Sequence, residues 1–353
     1  MRIDDPRATL VAAPTVDEAG DADAPAWQRY VFAHPRATFF HRFEWRRLIE
    51  EQWGHRTRFL VARRGGEIVG VLPLAHVRSL LFGNSLVSLP FCVYGGPLAD
   101  DPQAHAALDE RALALAHDAN VGHLEYRNLE RLHPDWPTTD VYFTFRKPIV
   151  ADDDANMKAI PRKQRAMVRK GIGNSLAAAI ESPDEFFPVY ADNVHRHGTP
   201  GMPRRWFRAL QDAFGQDCDT MVVRDGSGRA LSAVMSFYFR DEALPYYAGD
   251  FEAARDLAAN DYKYWMLMCH AARRGCRVFD YGRSKAGTGP FSFKKNWGFE
   301  PVPLPYEYHL VKRDSVPQNN PSNPKYQLMI RTWRRLPAGV VELLGPRIVR
   351  GLG

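Results

Sequence analysis

The sequence predicts an α/β protein with two tandem domains of the same plan, because one order of elements occurs twice along its 353 residues. A β-hairpin is predicted at Phe59–Gly70, "FLVARRGGEIVG", and a second at Thr220–Ser232, "TMVVRDGSGRALS", each with a glycine-containing turn between apolar stretches. Each hairpin is followed by a further strand, a helix and a short strand. A repeat of this kind is typical of two domains that each combine a sheet with helices.

Local patterns place the other elements of each copy. The first copy continues with a strand at Ser85–Gly96, the helix "HAALDERALALAHDAN" and the strand "HLEYRNLE". The second continues with Glu242–Asp250, the helix "NDYKYWMLMCHAARRG" and the strand "VFDYGRSK". Helical stretches precede the hairpins at Phe43–Gln52, Pro183–His195 and Pro203–Phe214. The predicted organisation is a first domain at 1–150, a basic connector helix at 151–176, a second domain at 177–312 and a basic amphipathic tail at 313–353.

The bulk composition predicts a globular cytoplasmic protein without a membrane span. The chain is 45% hydrophobic, and its longest apolar runs, such as Leu86–Tyr94, are far shorter than the roughly 18 residues that a spanning helix needs. The N-terminus is acidic, whereas a signal peptide begins with cations. The four cysteines form no CxxC pair, so we expect buried thiols in a reducing compartment and no zinc site: Cys92, Cys218, Cys269 and Cys276.

The connector is the most cationic internal segment. It begins with three acids at Asp152–Asp154 and continues with the bases Arg162, Lys163, Arg165 and Arg169. One interpretation is a solvated helix whose charges suit the helix dipole. The other is a cationic patch at the domain junction, where ligand clefts commonly lie.

The C-terminal tail also has two open interpretations. Its apolar residues fall on one helical face, with arginines elsewhere around the turn: Tyr326, Met329, Ile330, Trp333 and Leu336. The helix either lies on a membrane surface or packs its apolar stripe onto the body of the protein.

Three motifs, together with the repeat and the connector, resemble the FemAB family of peptidyltransferases. They are "HRHGTP" at His195–Pro200, "FDYGRSKAGTG" at Phe279–Gly289 and "FSFKKNWGFEP" at Phe291–Pro301. More narrowly, the chain resembles FemAB-like proteins associated with exosortase and PEP-CTERM exopolysaccharide loci. The resemblance implies two GNAT-like (acyl-CoA N-acyltransferase-like) domains, each a mixed sheet flanked by helices. It also implies transfer of an amino acid from aminoacyl-tRNA to an amine, although other GNAT-like proteins use acyl-CoA.

The resemblance implies a role for one lysine, and the strand pattern adds three neighbours. Lys294 stands where the family has the lysine of an "FK" motif, which implies that it faces the donor or the developing negative charge. If this segment is a strand, Lys295 has the opposite phase, so only one of the two should reach the cleft. Asp280 is expected either to orient a cation or to accept a proton from the attacking amine, with an N-cap or salt-bridge role as the alternative. Arg283 and Lys285 follow the same strand and are expected to bind substrate.

A second set of candidates surrounds "HRHGTP". His195 is a candidate general base, or alternatively a helix-end histidine that caps carbonyls. Thr199 is expected to line the acceptor site. His195 and His197 point apart on a helix and have no third ligand nearby, so no metal is expected, and the chemistry requires no redox cofactor.

The segments before the two repeat helices separate the candidate donors. CoA-dependent GNAT domains bind pyrophosphate there with a glycine-rich loop of the form (Arg/Gln)-x-x-Gly-x-(Gly/Ala). Here "YGGPLADDPQAH" and "AGDFEAARDLAANDY" lack that pattern and contain carboxylates. This departure disfavours acyl-CoA, and the family resemblance implies aminoacyl-tRNA as the donor. The connector cations suit a nucleotide- or lipid-linked sugar acceptor, and the basic tail is expected to contact the inner face of the membrane. The alternatives are acyl-CoA-dependent acylation of an amino sugar and a non-catalytic RNA- or membrane-binding protein.

Overall fold

The computed structural model describes residues 12–79, 82–317 and 324–352, without the side chains of residues 324–328. The strands are β1 (Thr15–Glu18), β2 (Arg56–Arg64), β3 (Glu67–Ser79), β4 (Gly83–Ser88), β5 (Leu98–Ala99), β6 (His123–Arg127), β7 (Thr138–Thr139), β8 (Tyr142–Pro148), β9 (Ala177–Glu181), β10 (Cys218–Arg224), β11 (Ala230–Phe239), β12 (Glu242–Asp250), β13 (Val278–Asp280), β14 (Ser284–Lys285), β15 (Pro301–Pro303) and β16 (Tyr306–Leu310). The α-helices are α1 (Ala24–Ala33), α2 (Glu44–Trp53), α3 (Pro102–Asp118), α4 (Asp153–Ala159), α5 (Arg162–Gly173), α6 (Pro183–His197), α7 (Arg204–Phe214), α8 (Ala259–Arg273), α9 (Gly289–Asn296), α10 (Pro324–Trp333) and α11 (Ala338–Leu352).

The predicted repeat is confirmed as two mixed sheets. The first has the order β1-β2-β3-β4-β6-β16-β7, with β5 on β3, and the second has the order β14-β8-β13-β12-β11-β10-β9, with β15 on β8. In each, three antiparallel strands lead into a helix and then into a parallel strand: β2-β3-β4, α3 and β6, and β10-β11-β12, α8 and β13. A helical crossover is the connection that parallel neighbours require.

Two strands lie in the opposite sheet from the one that the predicted domain limits imply. β8, inside the predicted first domain, pairs with β13, and β16, inside the predicted second domain, pairs with β6. The predicted domain limits at residues 150 and 312 therefore do not separate the strands of the first sheet from those of the second. Alternating hydrophobicity marks a segment as a strand but says nothing about its partner, which is chosen by burial far along the chain.

Prolines explain three further local differences. The predicted strand Ser85–Gly96 ends at Ser88, just before Pro90, and Phe91 has a positive φ of 66°. The predicted single connector helix is two, α4 and α5, because Pro161 forces the preceding residue into an extended conformation. The segment around Lys294, predicted as a strand, is helix α9, with Pro290 in its first turn.

A continuous aromatic core joins the two domains. Phe39 stacks on Phe237 of β11 with ring centroids 4.5 Å apart, and Trp45 of α2 lies 5.1 Å from Phe214 of α7. All four side chains are buried. Burial of this much apolar surface holds the two sheets in a fixed relation, with a cleft beside the core.

The tail helices use one face to pack onto the body and leave another exposed. Trp333 is buried and Ile330 lies against Gly198, whereas Met329 is 51% exposed, so the predicted stripe is only partly covered. The side chain of Tyr326, a member of that stripe, lies outside the described residues, as does Gly353 at the end of the predicted tail.

Candidate active site

Asp280 lies where two parallel strands separate. β12 and β13 pair only at Glu242 with Val278 and at Ala243 with Phe279, and Asp280 is the next residue of β13. Its side chain is fully buried. It accepts hydrogen bonds from the Gly282 backbone N–H at 2.7 Å and the Tyr94 hydroxyl at 3.0 Å, and it forms an ion pair with Arg146 Nε at 3.3 Å.

These contacts are those of a carboxylate that orients its neighbours. Burial raises the pKa of Asp280, and the charge of Arg146 and the hydrogen bonds from Gly282 and Tyr94 oppose that rise. Because no part of Asp280 reaches solvent, a proton-accepting role would require the site to open, and that role stays a prediction. The orienting role is consistent with its contact with Arg146.

Lys294 holds the loop that follows β13. From α9 its Nζ donates to the carbonyl oxygens of Tyr281 at 2.6 Å, Gly282 at 3.1 Å and Arg283 at 3.3 Å. Burial lowers the pKa of Lys294 to about 7, with Asp280 opposing and Arg283 reinforcing the shift. All three of these contacts of Nζ are with backbone carbonyls of residues 281–283, so the side chain positions Arg283. Lys295 is exposed, so only one of the pair is inside; the spacing of a helix, not of a strand, separates them.

Arg283 lies in an interdomain cleft beside two neighbouring aromatic rings from the exchanged strands. Its guanidinium is 4.4 Å from the ring centroid of Tyr142 on β8 and 5.5 Å from that of Tyr306 on β16. One of its nitrogens is 3.3 Å from the Tyr306 hydroxyl, which donates to the Val93 carbonyl at 2.6 Å. Lys285 lines the same cleft, which has a volume of about 720 Å³. The exchange of β8 and β16 therefore builds the place where Arg283 is held.

The first domain contributes a polar row that the sequence reasoning missed. His123, Glu125 and Arg127 alternate along β6, are buried and line the cleft opposite Arg283. Arg127 Nε donates to Glu125 at 2.7 Å, and its Nη1 donates to the Leu89 and Cys92 carbonyls at 2.9 and 2.6 Å. "HLEYRNLE" was predicted only as a strand of the first copy, with no site residue in it. The alternation of polar and apolar residues along this strand indicates that its polar side chains share one face.

Electrostatics keep this row charged. Burial raises the pKa of Glu125, but the charge of Arg127 and hydrogen bonds from His123 and Arg127 outweigh it and bring the value to about 2. Nδ1 of His123 is buried without a hydrogen-bond partner among the described residues. The row therefore presents a fixed cation beside an imidazole that has one nitrogen unused.

The other predicted site residues lie elsewhere. His195 lines a separate cavity of about 360 Å³ beside the tail residues Val341 and Glu342, and Thr199 is exposed. In the described lining of the 720 Å³ cleft there is no residue of α5, the helix that holds the predicted cationic patch. That helix packs on α8, with its cations at or near the surface: Arg162, Lys163, Arg165 and Arg169. The structure thus brings Arg283, Lys285, Asp280 and Lys294 together and leaves the two other groups apart.

The segment between β12 and α8 lines a third cavity, of about 420 Å³. Asp250, Glu252 and Asp261 are in its lining, together with Arg255. Burial raises the pKa of Asp261, although hydrogen bonds from Gln164 and Trp297 oppose the shift. This is the position where a CoA-binding loop was sought in the sequence, and carboxylates surround it.

Comparisons with known proteins agree with the fold. Residues 156–295 match the family model described as an acetyltransferase (GNAT) domain. The crystal structure of FemX superposes with a TM-score of 0.66 at 14% identity, covering 89% of this chain and 99% of that one. The C-terminal domain of a putative lysylphosphatidylglycerol synthetase from Agrobacterium fabrum gives 0.55 at 13% identity, covering 88% and 96%. A tandem GNAT protein from the clavulanic acid biosynthesis pathway gives 0.53 at 14%, covering 86% and 99%.

No curated protein sequence matches the chain. Among the described residues, no helix is both long enough and apolar enough to cross a membrane. The structural comparisons show a fold of two tandem GNAT-like domains, and residues 156–295 are similar to the model of a GNAT acetyltransferase domain.

Proposed function

We propose that the chain is an N-acyltransferase of FemAB type that transfers an aminoacyl group from aminoacyl-tRNA to an amine on a cell-envelope or exopolysaccharide precursor. The observation that supports it most is Arg283, whose guanidinium faces the interdomain cleft and forms no ion pair with any described carboxylate. Burying a cation without a counterion costs folding free energy, and an anionic ligand bound beside the guanidinium would offset that cost.

The cleft suits an acceptor that carries a diphosphate. Arg127, Arg283, Lys285 and Arg313 lie in its lining, and Glu125, the counterion of Arg127, is there too. Guanidinium groups bind phosphate oxygens through paired hydrogen bonds. Tyr142, which is partly exposed beside Arg283, offers a flat surface for a sugar or base. A nucleotide- or lipid-linked amino sugar has both features.

Every group that the proposed reaction uses lies in this cleft or in contact with its lining residues. The acceptor amine attacks the ester carbonyl of the donor, the new C–N bond forms, and the ester C–O bond breaks to release the tRNA hydroxyl. His123 is our candidate to accept the amine proton, which then passes to the leaving oxygen. Arg283 stabilises the oxyanion or holds a phosphate, and Lys294 and Asp280 are positioning residues.

The tail supplies a membrane-facing surface. Along α11, Val341, Gly345 and Val349 are buried against the body, while Leu343 and Leu344 are exposed by 62% and 37%. Exposed arginines lie along the same tail as these two leucines: Arg331, Arg334, Arg335, Arg347 and Arg350. An apolar stripe flanked by arginines is typical of helices that lie at the surface of anionic bilayers. We therefore propose that the protein works at the inner face of the membrane, where a lipid-linked acceptor would be available.

The second candidate is acyl-CoA-dependent acylation of an amino sugar. The match of residues 156–295 to an acetyltransferase model favours it. The segment between β12 and α8 opposes it, because that segment lacks the glycine-rich loop that binds pyrophosphate in CoA-dependent domains. The third candidate is a non-catalytic binding protein, for which turnover would be absent with every donor.

Donor identity separates the three candidates. Purified protein is mixed with nucleotide- and lipid-linked amino sugars and either radiolabelled aminoacyl-tRNA or acyl-CoA, with and without ribonuclease. Product that requires intact tRNA supports the proposal, product from acyl-CoA in ribonuclease-treated mixtures contradicts it, and no product supports the binding protein. Arg283→Met should abolish turnover, while Arg277→Met, a surface change on the same segment that removes an ion pair with Asp241, should not.

A further inference from the structure

A cluster of two histidines and one aspartate lies on the first domain, away from the interdomain cleft. His105 and Asp109 are one turn apart on α3, and His133 comes from the loop between β6 and β7. His105 Nδ1 and His133 Nε2 lie 3.0 and 2.9 Å from the same oxygen, Asp109 Oδ2. Each of these side chains is mostly buried, with 14 to 21% of its surface exposed.

We propose that His105, Asp109 and His133 bind a divalent transition metal ion, Zn²⁺ in the first instance, with water as the fourth ligand. In tetrahedral zinc, bonds of about 2.0–2.1 Å place ligand atoms about 3.3 Å apart. The two measured separations are within a few tenths of an ångström of that value, and the three ligand atoms lie within 4.8 Å of one another. Two imidazoles and a carboxylate are ligands that suit zinc better than magnesium or calcium.

A second group of contacts orients the ligands. Glu307 of β16 is fully buried and accepts from His133 Nδ1 at 3.1 Å, which directs Nε2 of that ring toward Asp109. The Tyr126 hydroxyl donates to Oδ1 of Asp109 at 3.1 Å and leaves Oδ2 for the site. The indole of Trp136 stacks on the His133 ring with centroids 4.1 Å apart. A carboxylate behind a ligating histidine is the arrangement that fixes ring orientation at metal sites.

The bound ion would link three parts of the chain that are distant in sequence. Helix α3, the loop containing His133 and, through Glu307, strand β16 all meet at this point. The same loop begins at Asn128 and Leu129, which line a cavity of about 250 Å³ next to Arg127. Metal binding would therefore stabilise one wall near the cleft without taking part in the reaction.

The test uses the untagged full chain after treatment with a chelator. We expect one Zn²⁺ per chain by elemental analysis after reconstitution, intense visible d–d bands with Co²⁺ as a tetrahedral probe, and a Tm about 5 °C higher at saturating Zn²⁺. His105→Ala and Asp109→Asn should each weaken Zn²⁺ binding at least about tenfold, as loss of one ligand does.

His117→Ala provides the matched control, because His117 is an exposed histidine on the same helix that contacts His309 and not the cluster. Its Zn²⁺ affinity and Tm shift should equal those of the unaltered protein. Because apo His105→Ala keeps the bond between His133 and Asp109, it should still fold, which circular dichroism checks. Absence of a Co²⁺ spectrum and of a Zn²⁺-dependent Tm shift in the unaltered chain would overturn the proposal, as would equal binding by His105→Ala and His117→Ala.

Discussion

Replacing Lys294 with methionine should change how folding stability depends on pH. In the folded chain burial lowers the pKa of Lys294 from 10.5 to about 7, and Lys294→Met removes the ionisable group while keeping an unbranched side chain. Between about pH 7 and pH 10.5 the unfolded lysine binds a proton that the folded lysine lacks. In this range the free energy of unfolding therefore rises with pH. The cost of burying the amine is fully present below pH 7 and is relieved as the pH approaches 10.5.

Because the pKa of Lys294 differs between the folded and the unfolded chain, the free energy of unfolding changes with pH by an amount that can be measured. From pH 6 to pH 9 the relief amounts to about 2–3 kcal/mol in the free energy of unfolding. Urea unfolding of the unaltered chain and of Lys294→Met at several pH values measures it as the difference between the two curves. Lys295→Met is the control for the loss of a lysine from the same helix, because Lys295 is exposed and is not held by the loop after β13.

A constant difference between the unaltered chain and Lys294→Met would refute the reasoning. It would mean that the three carbonyl acceptors keep the ammonium charged in spite of its burial. In the NMR spectrum of protein with ¹³C-labelled lysine Cε, the signal of Lys294 would then titrate near the ordinary range of lysine, whereas we expect a midpoint near pH 7.

Three further outcomes follow from packing and charge. A Cβ on Gly171 would lie 2.8 Å from Tyr262 Cβ, so Gly171→Ala should lower the free energy of unfolding by about 1–3 kcal/mol, whereas Gly173→Ala, which meets open space, should raise it by about 0.5–1 kcal/mol. Arg127→Met leaves Glu125 charged and buried and should cost about 3–5 kcal/mol in urea unfolding, and a cost under 1 kcal/mol would contradict the ion pair. Leu343→Asp should weaken binding to vesicles of anionic lipid about tenfold in a sedimentation assay without changing Tm, and unchanged binding would remove the tail from the membrane proposal.

Local patterns were sufficient to predict the repeat and several of its elements. The glycine-containing turns at Gly65–Gly66 and Asp225–Gly228 identify both hairpins, since these backbones turn where glycine is favoured. Period-3.6 apolar spacing identified α2, α6 and α7 to within two residues at each end. The prediction that Arg283 and Lys285 bind substrate came from their position after a strand, and both line the interdomain cleft.

Tertiary structure decided which strand pairs with which and therefore where the cleft is built. Neither β8 nor β16 was predicted from the sequence, and their exchange between the sheets places Tyr142 and Tyr306 side by side next to Arg283. The helical form of Lys294's segment and the row on β6 are different, because Pro290 and the alternation of polar residues along β6 were local signals of them. Periodicity is a property of neighbouring residues, whereas partner choice minimises exposed apolar surface and unpaired charge over the whole chain, and only the folded molecule shows its outcome.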